Sequence, residues 1–147
     1  MRGSIPTQYE MINQQIRELS GVYHSAASRS GISDNELWVW YALLIVGGEY
    51  SQQEICDMWS LPKQTVNSTT PSLSQRGLIT LEAIPGTRNR KLLRLTEEGK
   101  RYGERMIMPL YHAEQQALGK MSEQERQACV ALLGKYIALL KDELHET

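Results

Sequence analysis

Residues Ser51–Thr96 read SQQEICDMWSLPKQTVNSTTPSLSQRGLITLEAIPGTRNRKLLRLT. Ser51-Gln52-Gln53-Glu54 has the spacing of a capping box, in which a serine hydroxyl and a glutamate carboxylate satisfy each other's backbone N–H groups. A short helix is expected from there to Trp59, with Ile55, Met58 and Trp59 facing inward. Ser60-Leu61-Pro62 is a turn, and Pro62 suits the first turn of a second helix, where a missing N–H costs nothing. That helix extends to about Arg76, and Gly77 closes it. Leu78–Ile84 and Lys91–Leu95 read as antiparallel strands around Pro85-Gly86-Thr87-Arg88-Asn89-Arg90, which has the chemistry of a hairpin tip.

The second helix is unusually polar. Val66 and Leu73 are its main apolar positions, seven apart, with Thr69 and Thr70 between them. Lys63, Gln64, Thr65, Asn67, Ser68, Ser72, Ser74, Gln75 and Arg76 make up most of the rest. So narrow a buried stripe gives core packing little to work with. The polar face either meets water or meets a polar partner. Pro71 should free the Asn67 carbonyl and bend the second half of the helix.

Outward from this stretch the chain is mostly helical. Ile12, Ile16, Leu19 and Tyr23 stripe a first helix over roughly 8–29. Ser33-Asp34-Asn35-Glu36 is another capping box. The helix behind it, LWVWYALLIV, is apolar nearly all round and so belongs at the centre of the core. Gly47–Gly48 stops it. Thr96-Glu97-Glu98 starts a long helix with Thr96 as N-cap, and Pro109 should kink it. Ser122-Glu123-Gln124-Glu125 caps a last helix that carries Cys129, Leu132, Leu133, Tyr136, Ile137, Leu140 and Leu144. The order is α-α-α-α-β-β-α-α, mainly α with a small antiparallel β-wing: a winged helix-turn-helix. Terminal helices striped this strongly imply a symmetric dimer.

At 147 residues one domain is the simplest expectation, with a lobe at 33–99 and dimerisation helices at 8–29 and 100–145. The formal net charge is −1. Its distribution is more telling. Between Arg76 and Arg94 five basic residues stand against one acid, Glu82, a local charge of +4. From Tyr111 to Thr147 the balance is −2. No apolar run is long enough to span a bilayer, and the start of the chain lacks a secretory signal's apolar core. Cys56 and Cys129 read as reduced, buried thiols of a cytoplasmic protein. His24, His112 and His145 lack partners at metal-ligand spacing, and no nucleophile–base pair or glycine-rich phosphate loop is present. No enzyme, metal or cofactor is expected.

From Ser51 to Gly99 the chain resembles the MarR family of bacterial transcription regulators. The resemblance is carried by SQQEICDMWSLPKQTVNSTTPSLSQRGLI, by the L-x-x-x-G-L-I spacing at Leu73–Ile79 and by LT-x-x-G at Leu95–Gly99. It implies a homodimer that binds a pseudo-palindromic duplex, the 62–76 helix in the major groove and the 84–91 wing at the minor groove or backbone. Repression is the expected effect, with release by a small aromatic or anionic ligand. The alternative is a protein-interaction module that no longer binds DNA specifically. The family's wing has an Asp-x-Arg where this chain has Thr87 and Asn89, flanked by Arg88 and Arg90. Gln64 and Asn67 suit adenine, Thr65 and Thr69 a thymine methyl, and Lys63 a guanine or phosphate, with Ser68 beside them. Arg76, Arg88, Arg90 and Lys91 are expected at the phosphates, Ser51 and Gln52 likewise through helix-terminal N–H groups, and Asn89 is a further DNA-binding candidate on the wing. A ligand pocket is expected among Tyr23, His24, Trp38, Trp40, Tyr41, Tyr111 and His112, residues that would otherwise be core.

Overall fold

The structure, a computed structural model, describes residues 3–145. It divides into two compact units, Met1–Leu110 and Tyr111–Thr147. The described elements are α1 (Ile5–Arg29), α2 (Asp34–Trp40) continued by a π-helical turn (Tyr41–Val46), β1 (Tyr50–Ser51), α3 (Gln52–Trp59), α4 (Lys63–Gln75), β2 (Ile79–Ala83), β3 (Lys91–Leu95), α5 (Glu97–Gly119) and α6 (Glu123–Glu143). The expected mainly helical class with a small antiparallel wing is what the chain adopts.

The core of the first unit is built around α2. Leu37, Val39, Trp40, Tyr41, Ala42 and Leu43 are all buried, as the all-round apolar helix required. They meet Ile55 of α3, Val66 and Leu73 of α4, Ile79 of β2, Leu93 of β3 and Ile107 of α5. The switch to π-helical winding at Tyr41 was not legible in the sequence, because one extra residue per turn leaves the apolar pattern of so short a segment unchanged. Gly47, at φ 77°, ends the segment and donates its N–H to Ala42 O.

The sheet has three strands, in the order β1-β3-β2. Tyr50 and Ser51 pair with Leu93 and Leu92. A two-residue strand carries no alternation, so its sequence gives no strand signal. β2 and β3 pair in register from Ile79↔Leu95 to Ala83↔Lys91. Leu93 thereby sits on the middle strand between Tyr50 and Leu81, and it is fully buried.

α1 begins earlier than expected. Ser4 caps it by accepting from Thr7 N, and Pro6 lies in its first turn. On α3 the inward residues are Ile55 and Cys56, whereas Met58 is exposed and Trp59 half-buried. α4 runs through Pro71 as one helix. α5 likewise contains Pro109 without a break in its assigned span. Its start is tied to the sheet: Thr96 N donates to Leu78 O at 3.1 Å, Thr96 Oγ1 donates to Gly77 O at 2.7 Å, and Gly99 N donates to Thr96 Oγ1 at 2.9 Å.

In the second unit α6 is capped at Ser122 by a complete capping box with Glu125. That pair holds the exposed Glu125 carboxyl below its ordinary range, chiefly through the hydrogen bond from the Ser122 N–H. Every residue described on α6 except Arg126 is exposed, Cys129 included. The expectation that both cysteines are buried therefore holds for Cys56 and fails for Cys129. No helix among the described residues is long and apolar enough to cross a membrane.

Candidate nucleic-acid interface

Three pieces of backbone converge on one cleft. The capping box at Ser51 forms as expected, Glu54 N donating to Ser51 Oγ and Ser51 N to Glu54 Oε1. This fixes the first turn of α3. Pro62, in extended conformation, is the residue before α4 and sets Lys63 and Asn67 one helical turn apart on one face. The β2–β3 ladder brings the wing back, with Ile84 N donating to Arg90 O at 3.0 Å. The cleft between them, about 340 Å³, is lined by Ser51, Gln52, Gln53, Lys63, Asn67, Asn89, Arg90 and Lys91.

Its chemistry is cationic and amide-rich. Lys63, Arg90 and Lys91 have no carboxylate partner among the described residues. Gln52, Gln53, Asn67 and Asn89 supply amides that donate and accept. Gln53 was missed by sequence reading; its position in the first turn of α3 beside Gln52 was the available signal. Its side-chain amide donates to Asp57 Oδ1 at 2.9 Å.

Other expected site residues stand elsewhere on the same lobe. Gln64 and Ser68 are exposed on α4 outside the cleft, while Thr65 and Thr69 are half-buried. Ser68 and Thr69 donate their hydroxyls to Thr65 O at 2.9 and 3.0 Å. With the proton turned inward, each presents lone pairs outward and acts as an acceptor toward a partner. Arg88 is exposed at the wing tip. There Thr87 stands where the family's acid would be. Its N–H and its hydroxyl both donate to Ile84 O, and Gly86 has φ 79°. Pro at the second position and a left-handed Gly at the third mark a type II turn. The tip is thus braced by its own backbone and one hydroxyl instead of by a carboxylate.

Two of the expected residues have partners within the chain. Ser51 is 2% exposed, and the capping box uses both its N–H and its hydroxyl. Arg76, expected at phosphates, is exposed but has partners within the chain: its guanidinium donates to Glu36 Oε1 at 3.1 Å and lies 5.1 Å from the centre of the Tyr102 ring. Burial alone would lower its pKa. The hydrogen bonds and charges of Glu36 and Tyr102 outweigh burial, and the net shift is upward.

The residues expected in a ligand pocket are divided. Trp40 is fully buried, with its indole N–H on Glu36 Oε1 at 3.2 Å, so it belongs to the core. Trp38, Tyr23, Tyr41 and Trp59 form a ring cluster with centroids 5.1 to 6.0 Å apart. The Trp59 indole N–H is buried in it and has no hydrogen-bond partner among the described residues. His24 is outside this cluster, exposed and bonded to Asp34 at 3.0 Å. Tyr111 and His112 belong to the second unit, their rings 6.2 Å apart. Among the described residues no group of three or more His, Cys, Asp or Glu is arranged to hold a metal ion.

The helix-turn-helix of α3 and α4, followed by the β2–β3 hairpin, defines a winged helix-turn-helix protein. Residues 30–88 match the sequence profile of the MarR family. Solved structures with the same fold include the MarR family regulator NMB1585 from Neisseria meningitidis, at 24% identity over 94% of this chain and 96% of that one, with a TM-score of 0.82. The S. aureus MepR–DNA complex is 19% identical over 93% and 98% of the two chains, TM-score 0.64. The PcaV transcriptional regulator from Streptomyces coelicolor, in complex with its natural ligand, is 20% identical over 86% and 91%, TM-score 0.65. No curated protein sequence matches the chain. The sequence match to the MarR family thus spans residues 30–88, and the chain has the fold of solved structures of that family.

Proposed function

We propose that the protein is a dimeric transcription regulator that binds double-stranded DNA and represses. The carrying observation is the cleft. Three cations with no carboxylate partner among the described residues and four amide side chains converge there from the start of α3, the first two turns of α4 and the wing. Phosphates need the cations, and base edges need the amides. Residues 33–99 are the DNA-binding lobe in this reading. Residues 8–29 and 100–145 supply the dimer helices, and the cytoplasm is where the protein works.

The dimer reading is supported by apolar surface. On α1, Ile5, Tyr9, Ile12, Ile16 and Leu19 follow spacings of four and three, and each is at least 41% exposed. On α6, Leu133, Tyr136, Ile137, Leu140 and Leu144 are exposed in the same pattern. Surfaces of this kind are ordinarily covered by a partner. Ligand control is supported by the ring cluster around Trp38, whose unpartnered Trp59 N–H suits an aromatic molecule bearing an acceptor.

The test is fluorescence anisotropy with duplexes enriched from a randomised pool, repeated across salt concentrations. Binding that weakens linearly in log–log form, at a stoichiometry of two chains per duplex, supports the reading. Failure to enrich any duplex sinks it and favours the protein-interaction module.

A further inference from the structure

Glu36 holds a position the DNA-binding reading does not use. Its spacing from Ser33 encodes a capping box, and half of the box forms, Glu36 N donating to Ser33 Oγ at 3.1 Å. The reciprocal half does not. The carboxylate turns away from the cap, and Oε1 accepts from both Trp40 Nε1 and Arg76 Nη1. In the two complete boxes, at Ser51 and Ser122, the glutamate does reach back. At α2 the same sequence signal is overridden by a tertiary partner 40 residues away.

That partner is the C-cap of α4. Arg76 also lies over Tyr102 of α5, and Trp40 is in ring contact with Tyr102 at 5.4 Å. The Glu36 side chain is only 14% exposed, while Arg76 reaches it from the surface at 39% exposure. Three helices meet at one carboxylate and one guanidinium. Arginine suits this task because its planar fork can donate to an acid while its face covers a ring.

We propose that Glu36 and Arg76 are a positioning pair that fixes the angle of α4 for base readout, Arg76 making no phosphate contact. The inference rests on the DNA-binding reading. A 13-residue helix is about 20 Å long. A swing of about 10° at its Arg76 end would move Lys63 by roughly 3 Å, far beyond the ~0.5 Å tolerance of a designed contact. Phosphate attraction, by contrast, survives such a swing because it is not directional.

The two roles for Arg76 predict different data. A phosphate-binding Arg76 predicts that Arg76→Met weakens specific and non-specific binding alike and lowers the log–log salt slope by about 0.9. It also predicts that Glu36→Gln, which removes a negative charge from a DNA-binding lobe, leaves binding unchanged or tightens it. The positioning pair predicts that Glu36→Gln and Arg76→Met each weaken binding to the selected duplex about tenfold. Binding to poly(dA-dT) stays within twofold, the salt slope is unchanged, and the double variant is no worse than either single one.

The measurement is anisotropy on full-length protein, with circular dichroism confirming that each variant is folded. Glu36→Gln is nearly isosteric and decides the matter alone if Arg76→Met does not fold. Wild-type protein that binds while Glu36→Gln binds as well or better overturns the pair and leaves the DNA reading standing. A purely stabilising role, seen as a lowered melting temperature with an unchanged ratio of specific to non-specific affinity, also overturns it. Wild-type protein that enriches no duplex overturns both.

Discussion

Replacing Gly99 with alanine should cost this protein about 2–4 kcal/mol, although alanine is the better helix former by about 1 kcal/mol. Gly99 lies in the first turn of α5, against the backbone of Leu78. A Cβ there would overlap the Leu78 carbonyl oxygen and stand 2.9 Å from its carbon. Ordinary C···O contacts are about 3.3–3.6 Å, so α5 must retreat by on the order of an ångström. The obstacle is backbone, which cannot swing aside as a side-chain tip can. The retreat strains the Thr96 N→Leu78 O and Thr96 Oγ1→Gly77 O bonds, 3.1 and 2.7 Å long. Two such bonds contribute about 1 kcal/mol each, and a partner left buried and unpaired costs about 1–3 kcal/mol. The retreat also opens the contact one turn on, where Gly103 faces Trp40. At this chain length the loss corresponds to a fall in Tm of roughly 5–15 °C. Calorimetry and urea titration at one protein concentration measure it. Gly21→Ala is the control: nothing lies within 4 Å of a Cβ there, and it is mid-helix on α1. It should raise stability by up to about 1 kcal/mol. A Gly99→Ala protein as stable as wild type would refute the close approach of α5 to Leu78.

Arg90→Ala with Lys91→Ala should lower the log–log salt slope of DNA binding by about 1.8, two phosphate contacts at ~0.9 each; equilibrium titrations between 50 and 200 mM salt read this directly. Cys56 should resist alkylation until the protein unfolds, because burial first and the neighbouring Asp57 charge second push its thiol pKa up; labelling of a Cys129→Ser variant followed by mass spectrometry tests it. Glu125 has a lowered folded pKa, so its contribution to α6 is full above the ordinary carboxylate range and is lost as pH falls through that lowered value. Glu125→Gln keeps the cap's oxygen acceptor, so the wild type's advantage in helicity by circular dichroism should shrink as pH falls from neutrality through the carboxylate range.

Local signals with a single partner were the legible ones. Capping boxes, the Gly77 and Gly47 stops and the 3–4 spacing of α6 each concern residues within one turn, so sequence spacing is also spatial spacing. The cleft was legible in outline for the same reason, since Lys63 and Asn67 share a helix face whatever surrounds them. Contacts made across the fold were hidden. Nothing near Glu36 announces that Arg76 will take its carboxylate. Nothing near Gly99 announces Leu78, although the LT-x-x-G spacing marks the place where the two backbones meet. β1 was too short to show a period, and Trp40 has the composition of a pocket residue but the packing of a core one.

Arg94 has a part in the wing that reaches beyond its own position. Its guanidinium holds Glu49 at 2.9 Å and Glu82 at 3.2 Å. Glu82 is the lone acid between Arg76 and Arg94, and its backbone lies one step from the Ala83↔Lys91 pair at the top of the ladder. Drawn back toward Arg94, that carboxylate is kept from pairing with Lys91 or Arg90. Arg94, which does not line the cleft, thus offsets one of the two carboxylates beside it and lessens their opposition to the tip's field. For a charged partner arriving by diffusion, an unopposed field raises the frequency of productive encounters more than it slows departure. On the proposed function, Arg94 would bear on how fast the wing finds its partner, and the residues of the cleft on how long it stays.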